Sequence, residues 1–168
     1  MRTIPLFFTF AVALSFLTGC GDKEDARRPK DMPKLYAVTI TVTQEGKPLE
    51  GADVTLIAKT PATYGVSSGE TNASGEVKPR TYGFVGVPAG EYLVTVNKAG
   101  LEGAQERTET NEDGETFTNI VGGQNFSYVD DKYWRDRSNT PLGIVVTEKG
   151  ARESFELGAP VRVLLGNN

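Results

Sequence analysis

Tyr36, Val38, Ile40 and Val42 alternate with Ala37, Thr39, Thr41 and Thr43. Period two with β-branched residues on both faces predicts a half-buried strand. Glu45-Gly46 turns the chain and Pro48 with Gly51 ends the turn, after which Val54, Leu56 and Ala58 alternate with Asp53, Thr55 and Lys59 as a second strand. Pro61 closes it. Tyr64, Val66 and Ser68 begin a weaker third strand that stops at Asn72-Ala73-Ser74-Gly75, four turn-forming residues. Val77 and Thr81 predict a short fourth, which Pro79 places at an edge. Beyond Pro88-Ala89-Gly90 the fifth is clean, with Tyr92, Val94 and Val96 on one side and Leu93 and Thr95 on the other. Ala99 to Glu115 is polar and acidic and reads as a long loop, while Thr116 to Val121 suits strand or loop equally. Leu142, Ile144 and Val146 alternate again, Glu148-Lys149-Gly150 turns, Phe155 and Leu157 return, and Val161 to Leu165 offers an edge strand. No stretch keeps a period of 3.6 between caps. Short strands punctuated about every ten residues predict an all-β sandwich or barrel.

The start of the chain has a different pattern. Met1-Arg2-Thr3 is positive, and Ile4 to Leu17 is an apolar run broken only by Pro5, Thr9 and Ser15. About fourteen residues is too short to span a bilayer, which takes ~20, and suits the core of a signal peptide. Leu17-Thr18-Gly19-Cys20 follows. This resembles the lipobox of bacterial lipoproteins, a leucine and two small residues before a cysteine. The resemblance implies cleavage before Cys20, lipid on its thiol, and attachment of the mature chain to the cell envelope. Gly21 in place of the aspartate that favours inner-membrane retention leans toward an outer membrane where the host has one. The competing reading is an ordinary secretory signal beside a chance cysteine. Residues 21–33 mix both charges with almost no apolar content and read as a solvated tether. The expected organisation is therefore a leader at 1–19, a tether at 20–33 and one β-sandwich domain at 34–168.

Charge and composition narrow the chemistry. Arg2 is the only basic residue before Cys20, so loss of the leader leaves 17 of the 18 Lys and Arg against 22 Asp and Glu, a formal charge of −5. An acidic surface repels phosphate backbones and argues against a nucleic-acid partner. The single cysteine allows no internal disulfide, and there is no histidine. The commonest general base and the usual metal ligand are thus both missing, and no cofactor is expected.

Within the domain, Gly46-Lys47-Pro48-Leu49-Glu50-Gly51-Ala52-Asp53-Val54, Thr71-Asn72-Ala73-Ser74-Gly75 and Pro88-Ala89-Gly90-Glu91-Tyr92 resemble the motifs of carboxypeptidase regulatory-like domains. The resemblance covers roughly residues 36–98, with Asn72 where aspartate is more usual. It implies a transthyretin-like sandwich of about seven strands. The motifs consist of turn chemistry and core spacing, so they speak to fold and not to activity.

Three patterns with chemical meaning are incomplete. Gly65-Val66-Ser67-Ser68-Gly69 matches a nucleophile elbow but has no histidine to take the proton and no helix to follow. Glu109, Asn111, Asp113, Gly114 and Glu115 follow the opening of a calcium loop, yet Ile120 stands where the bidentate glutamate belongs. Lys34, Asn167 and Glu91 hold residue types that form isopeptide bonds in surface proteins, without a spacing that pairs them. The remaining candidate is the segment Asn125 to Thr140, where Tyr128, Tyr133 and the only tryptophan, Trp134, stand among Asp130, Asp131, Lys132, Arg135, Asp136 and Arg137. Aromatic faces beside charges suit a partner-binding patch, but packing under the last strands is the favoured reading, since large aromatics are more often buried than presented. The expected function is a non-catalytic, lipid-anchored envelope protein that binds or scaffolds an envelope protein or glycan; the alternative is a dedicated carbohydrate- or peptide-binding module.

Overall fold

A computed structural model describes residues 27–166. The leader, the lipobox with Cys20, most of the tether and Asn167 lie outside the described residues. Eight longer strands organise the chain: β1 (Val38–Gln44), β2 (Asp53–Ala58), β3 (Val66–Glu70), β4 (Gly90–Asn97), β5 (Ala99–Thr110), β6 (Thr116–Ser127), β7 (Leu142–Val146) and β8 (Ala151–Glu156). Two-residue strands fill the connections, and the only helical element among the described residues is a 3₁₀ turn at Asp131–Tyr133. The protein is an all-β sandwich.

One sheet runs β7-β4-β2-β3 and continues through the short strands Arg80–Thr81 and Phe84–Val85. The facing sheet is built on β1, which pairs in parallel with β8 on one side and antiparallel with Lys47–Pro48 and Glu76–Val77 on the other. The alternation places the core as expected. Val38, Ile40 and Val42 of β1 face Val54, Leu56, Val94 and Val96, with Tyr92, Ile144, Val146, Phe155 and Leu157 completing the layer. Polar groups caught inside are paired, as burial demands. Ser67 Oγ lies 2.8 Å from Thr81 Oγ1, Thr81 Oγ1 donates to the Gly86 carbonyl, and Tyr92 Oη donates to Pro88 O at 2.9 Å.

The turn Thr147–Gly150 carries the chain from one sheet to the other, because β7 pairs with β4 and β8 with β1. Gly150 sits at φ +84°, and a Cβ there would run into the Ala37 carbonyl oxygen. Glycine at this point lets β8 begin its parallel run beside β1, opened by the bond from Ala151 N to Ala37 O. At the far end of the same pair, the Glu156 carboxylate accepts from Thr43 Oγ1 (2.7 Å) and from the backbone N–H groups of Glu45, Gly46 and Gly158. These bonds, the Thr43 hydroxyl foremost, hold its carboxyl below the ordinary glutamate value.

Three expectations need correction. Residues 99–115 are not a loop: β5 and β6 form a long antiparallel hairpin, joined by a tight turn at Asn111–Glu115 in which Asn111 N donates to Glu115 O. The reading failed because β5 contains almost no large apolar residue, so its order comes from pairing with β6 and not from a buried face. The third strand exists, but its inward residue is Ser67, while Val66 is 52% exposed. The described end of the tether is also docked. Met32 is buried, Arg28 Nη2 donates to Pro33 O, and Asp31 accepts from the Tyr64 hydroxyl at 3.0 Å.

Candidate functional site

The outward positions of the first sheet form three rows. Because Val54, Leu56, Val94 and Val96 point inward, the register brings Asn97, Asp53 and Glu70 side by side on the outer face. The next row is Thr95, Thr55 and Ser68, and the third is Leu93, Ile57 and Val66. The face thus grades from carboxylate and amide, through hydroxyl, to apolar.

Segment 129–141 crosses this face beside β4. Val129 is fully buried and anchors its start. Asp130 caps the 3₁₀ turn by accepting from Lys132 N, which drives Tyr133 into the core at 8% exposure. Trp134 packs against the core edge and donates from Nε1 to Val129 O at 2.9 Å, while the Arg135 guanidinium lies 5.0 Å from its ring centroid and pairs with Asp131. Thr140 Oγ1 fixes the other end by donating to Val94 O at 2.7 Å. Trp134 and Arg137 thereby wall a groove of about 430 Å³ whose floor is the first two rows. On the other side of Arg137 a shallower hollow of about 350 Å³ opens over the apolar row.

Among the described residues no side chain engages the carboxylates of Asp53 and Glu70 or the guanidinium of Arg137. A second groove, of about 580 Å³, lies where residues 31–33 meet the loop 60–65 and Pro88–Tyr92. Its polar groups are instead satisfied within the chain, by the Tyr64–Asp31 bond and the Lys59–Glu91 ion pair. The sheet-face groove is the better candidate because its floor is a rigid three-strand ladder and its charges are open to a ligand. It offers acceptors, donors, a cation and an indole in one concavity, without a nucleophile set against a base.

The three aromatic residues singled out from the sequence are not brought together. Only Trp134 reaches the groove. Tyr133 is a core residue whose ring lies 4.8 Å from Lys132 Nζ. Tyr128 belongs to the root of the hairpin, where its hydroxyl donates to Glu102 at 2.7 Å and Arg162 closes on the same carboxylate through Nε and Nη2. Arg162 first and Tyr128 second hold the Glu102 carboxyl below its ordinary value, and the same guanidinium stacks 3.5 Å from the Phe126 ring centroid. The groove residues Asp53, Glu70 and Asn97 were not anticipated. Their signal was parity alone, since each occupies the polar phase of an alternating strand.

Gly65–Gly69 lies largely in β3 with Ser67 turned inward, and among the described residues no three acidic side chains gather to hold a metal ion. Lys34 stacks on Tyr36 and Glu91 pairs with Lys59.

No family model matches the chain, and no curated protein does either. Among solved structures, the major pilin subunit of Bacillus cereus is similar over 74% of this chain and 30% of its own, at 14% identity and a TM-score of 0.37. A 9R-lipoxygenase from Cyanothece is similar over 74% of this chain and 16% of its own, at 14% identity and a TM-score of 0.28. The chain spans less than a third of either protein. Neither likeness assigns a family.

Proposed function

We propose that this chain is a lipid-anchored, non-catalytic binding module of the cell envelope, with the groove between Trp134 and the Asp53–Glu70 row as its contact surface. The observation that carries the reading is the meeting, in one concave surface, of an indole, a guanidinium and two carboxylates that no side chain among the described residues engages. Such a surface suits a ligand rich in hydroxyl or amide groups, a glycan or an extended peptide of the envelope, because each polar row presents hydrogen-bonding groups at strand spacing. The leader ending in Leu17-Thr18-Gly19-Cys20 supports attachment through lipid on Cys20. The acidic charge of the chain argues against nucleic acid as the ligand.

Trp134 is the only tryptophan, so its emission reports on the groove directly. Titration with soluble peptidoglycan fragments and with short neutral peptides is expected to shift and quench that emission with saturation. Glu70→Gln and Arg137→Ala, both at exposed positions, should weaken the response about tenfold or more while leaving the melting temperature unchanged. Flat titrations with both probe classes would overturn the groove assignment. Anchoring is read separately: the wild-type chain should incorporate labelled palmitate in a bacterial host and Cys20→Ser should not.

A further inference from the structure

β5 and β6 each run twelve residues and pair with one another almost alone. Among the described residues only Phe126 and Ser127, at the root, gain a third strand, from Val163–Leu164. An isolated two-stranded ribbon is marginal in water, and an unpaired strand edge is a template for another strand. The two edges of this ribbon are unlike. β5 carries Glu102, Glu106, Arg107 and Glu109, and the turn adds Glu112, Asp113 and Glu115. β6 reads Thr-Phe-Thr-Asn-Ile-Val-Gly-Gly-Gln-Asn-Phe-Ser and has no ionisable side chain at all. It holds the exposed Phe117, Ile120 and Val121.

We propose that the β6 edge is a self-association surface, pairing antiparallel with β6 of a second copy about a two-fold axis at Asn119. The charge distribution chooses the occupant. Two copies joined through β6 bring uncharged strand to uncharged strand and leave the acidic β5 edges outermost, whereas joining through β5 would juxtapose like charges. The hydrogen-bond phase agrees. Asn111 N donates to Glu115 O at the turn, so along the distal ladder odd-numbered residues bond across the hairpin and the backbone groups of Thr116, Thr118 and Ile120 face outward. In the two-fold register Thr118 of one copy bonds with Ile120 of the other. Phe117 then lies against Val121 across the non-bonded pair, an aromatic on a β-branched side chain. The new four-stranded sheet gives the exposed apolar residues neighbours that the monomer lacks. Its area is small, so the association is a weak one.

The test uses the full chain in bacterial membranes. Asn119 meets its own symmetry mate in a non-bonded antiparallel pair, where Cα atoms stand ~4.5 Å apart, within disulfide range. Asn119→Cys should therefore give a disulfide-linked dimer on mild oxidation, with the 119–119 linkage found by peptide mass. Thr108→Cys on the β5 edge and the unsubstituted chain, whose one cysteine is Cys20, should stay at background. Adding Ile120→Lys to Asn119→Cys should abolish the crosslink without altering the β-rich circular dichroism. A 119 crosslink no stronger than that of 108, or one that joins position 119 to a different protein, overturns the proposal.

Discussion

The same substitution at two isoleucines separates what holds this fold from what merely decorates it. Ile40 is 0% exposed at the centre of β1, between Val77 on one side and Glu153 on the other, whereas Ile120 on the hairpin is 67% exposed. Ile40→Ala removes three carbon groups from the core. At ~0.8 kcal/mol per buried methylene the lost transfer energy is ~2.4 kcal/mol. The β1 backbone is paired on both sides and cannot close the void, so a cavity term of about 1 kcal/mol adds to it. The expected loss is therefore ~3–4 kcal/mol, a large share of the ~5–15 kcal/mol that holds a domain together. Ile120→Ala gives up contacts that are mostly with water and should cost under ~0.5 kcal/mol. Urea unfolding followed by Trp134 emission measures both, since Trp134 packs against the core and reports its loss. The midpoint should fall steeply for the first variant and barely for the second, with the denaturant slope unchanged. Equal losses at the two positions, or a loss under ~1 kcal/mol at Ile40, would refute the assignment of β1 to the centre of the core.

Glu156→Gln should lower the melting temperature at neutral pH, because its carboxylate gathers Thr43 and three backbone N–H groups. Its folded pKa lies below the unfolded value, so its contribution is complete above the ordinary glutamate pKa and is lost as pH falls through the lowered one. Melting curves of the two proteins should therefore converge in acid, and a gap that persists at the lowest pH would contradict this. Gly150→Ala should destabilise by more than ~1 kcal/mol, since it forces a side chain into positive φ and against the Ala37 carbonyl. Hydrogen exchange should show the loss concentrated in β8 and β1, and unchanged protection there would count against the close approach.

The sandwich was legible wherever one strand face is buried. Val38, Ile40 and Val42, then Val54 and Leu56, then Tyr92, Val94 and Val96, all stand inside in the phase their alternation predicts. Legibility fails where order has another source. β5 carries one large apolar residue, Leu101, and no buried position, so only its partner strand makes it a strand. β3 turns Ser67 inward, where its hydroxyl pairs with that of Thr81, and Val66 outward. Asp53, Glu70 and Asn97 come from three distant stretches, and only the registers of β2 with β3 and β4 set them in one row. Trp134 was visible as an isolated large aromatic. Which of its neighbours would face solvent depended on the 3₁₀ turn that buries Tyr133.

The parallel pairing of β1 with β8 sets a timetable for folding. Thr43 and Glu156, which meet at the end of that pair, are 113 residues apart in the chain. Contacts of such separation slow folding, because the intervening chain must be closed into a loop before they form. Until residue 156 has emerged from the ribosome, the sheet built on β1 lacks one of its flanking strands. The sheets among residues 38–127 can pair as soon as they are made, but the sheet built on β1 is closed on its second side only when the last long strand arrives to lie beside the first.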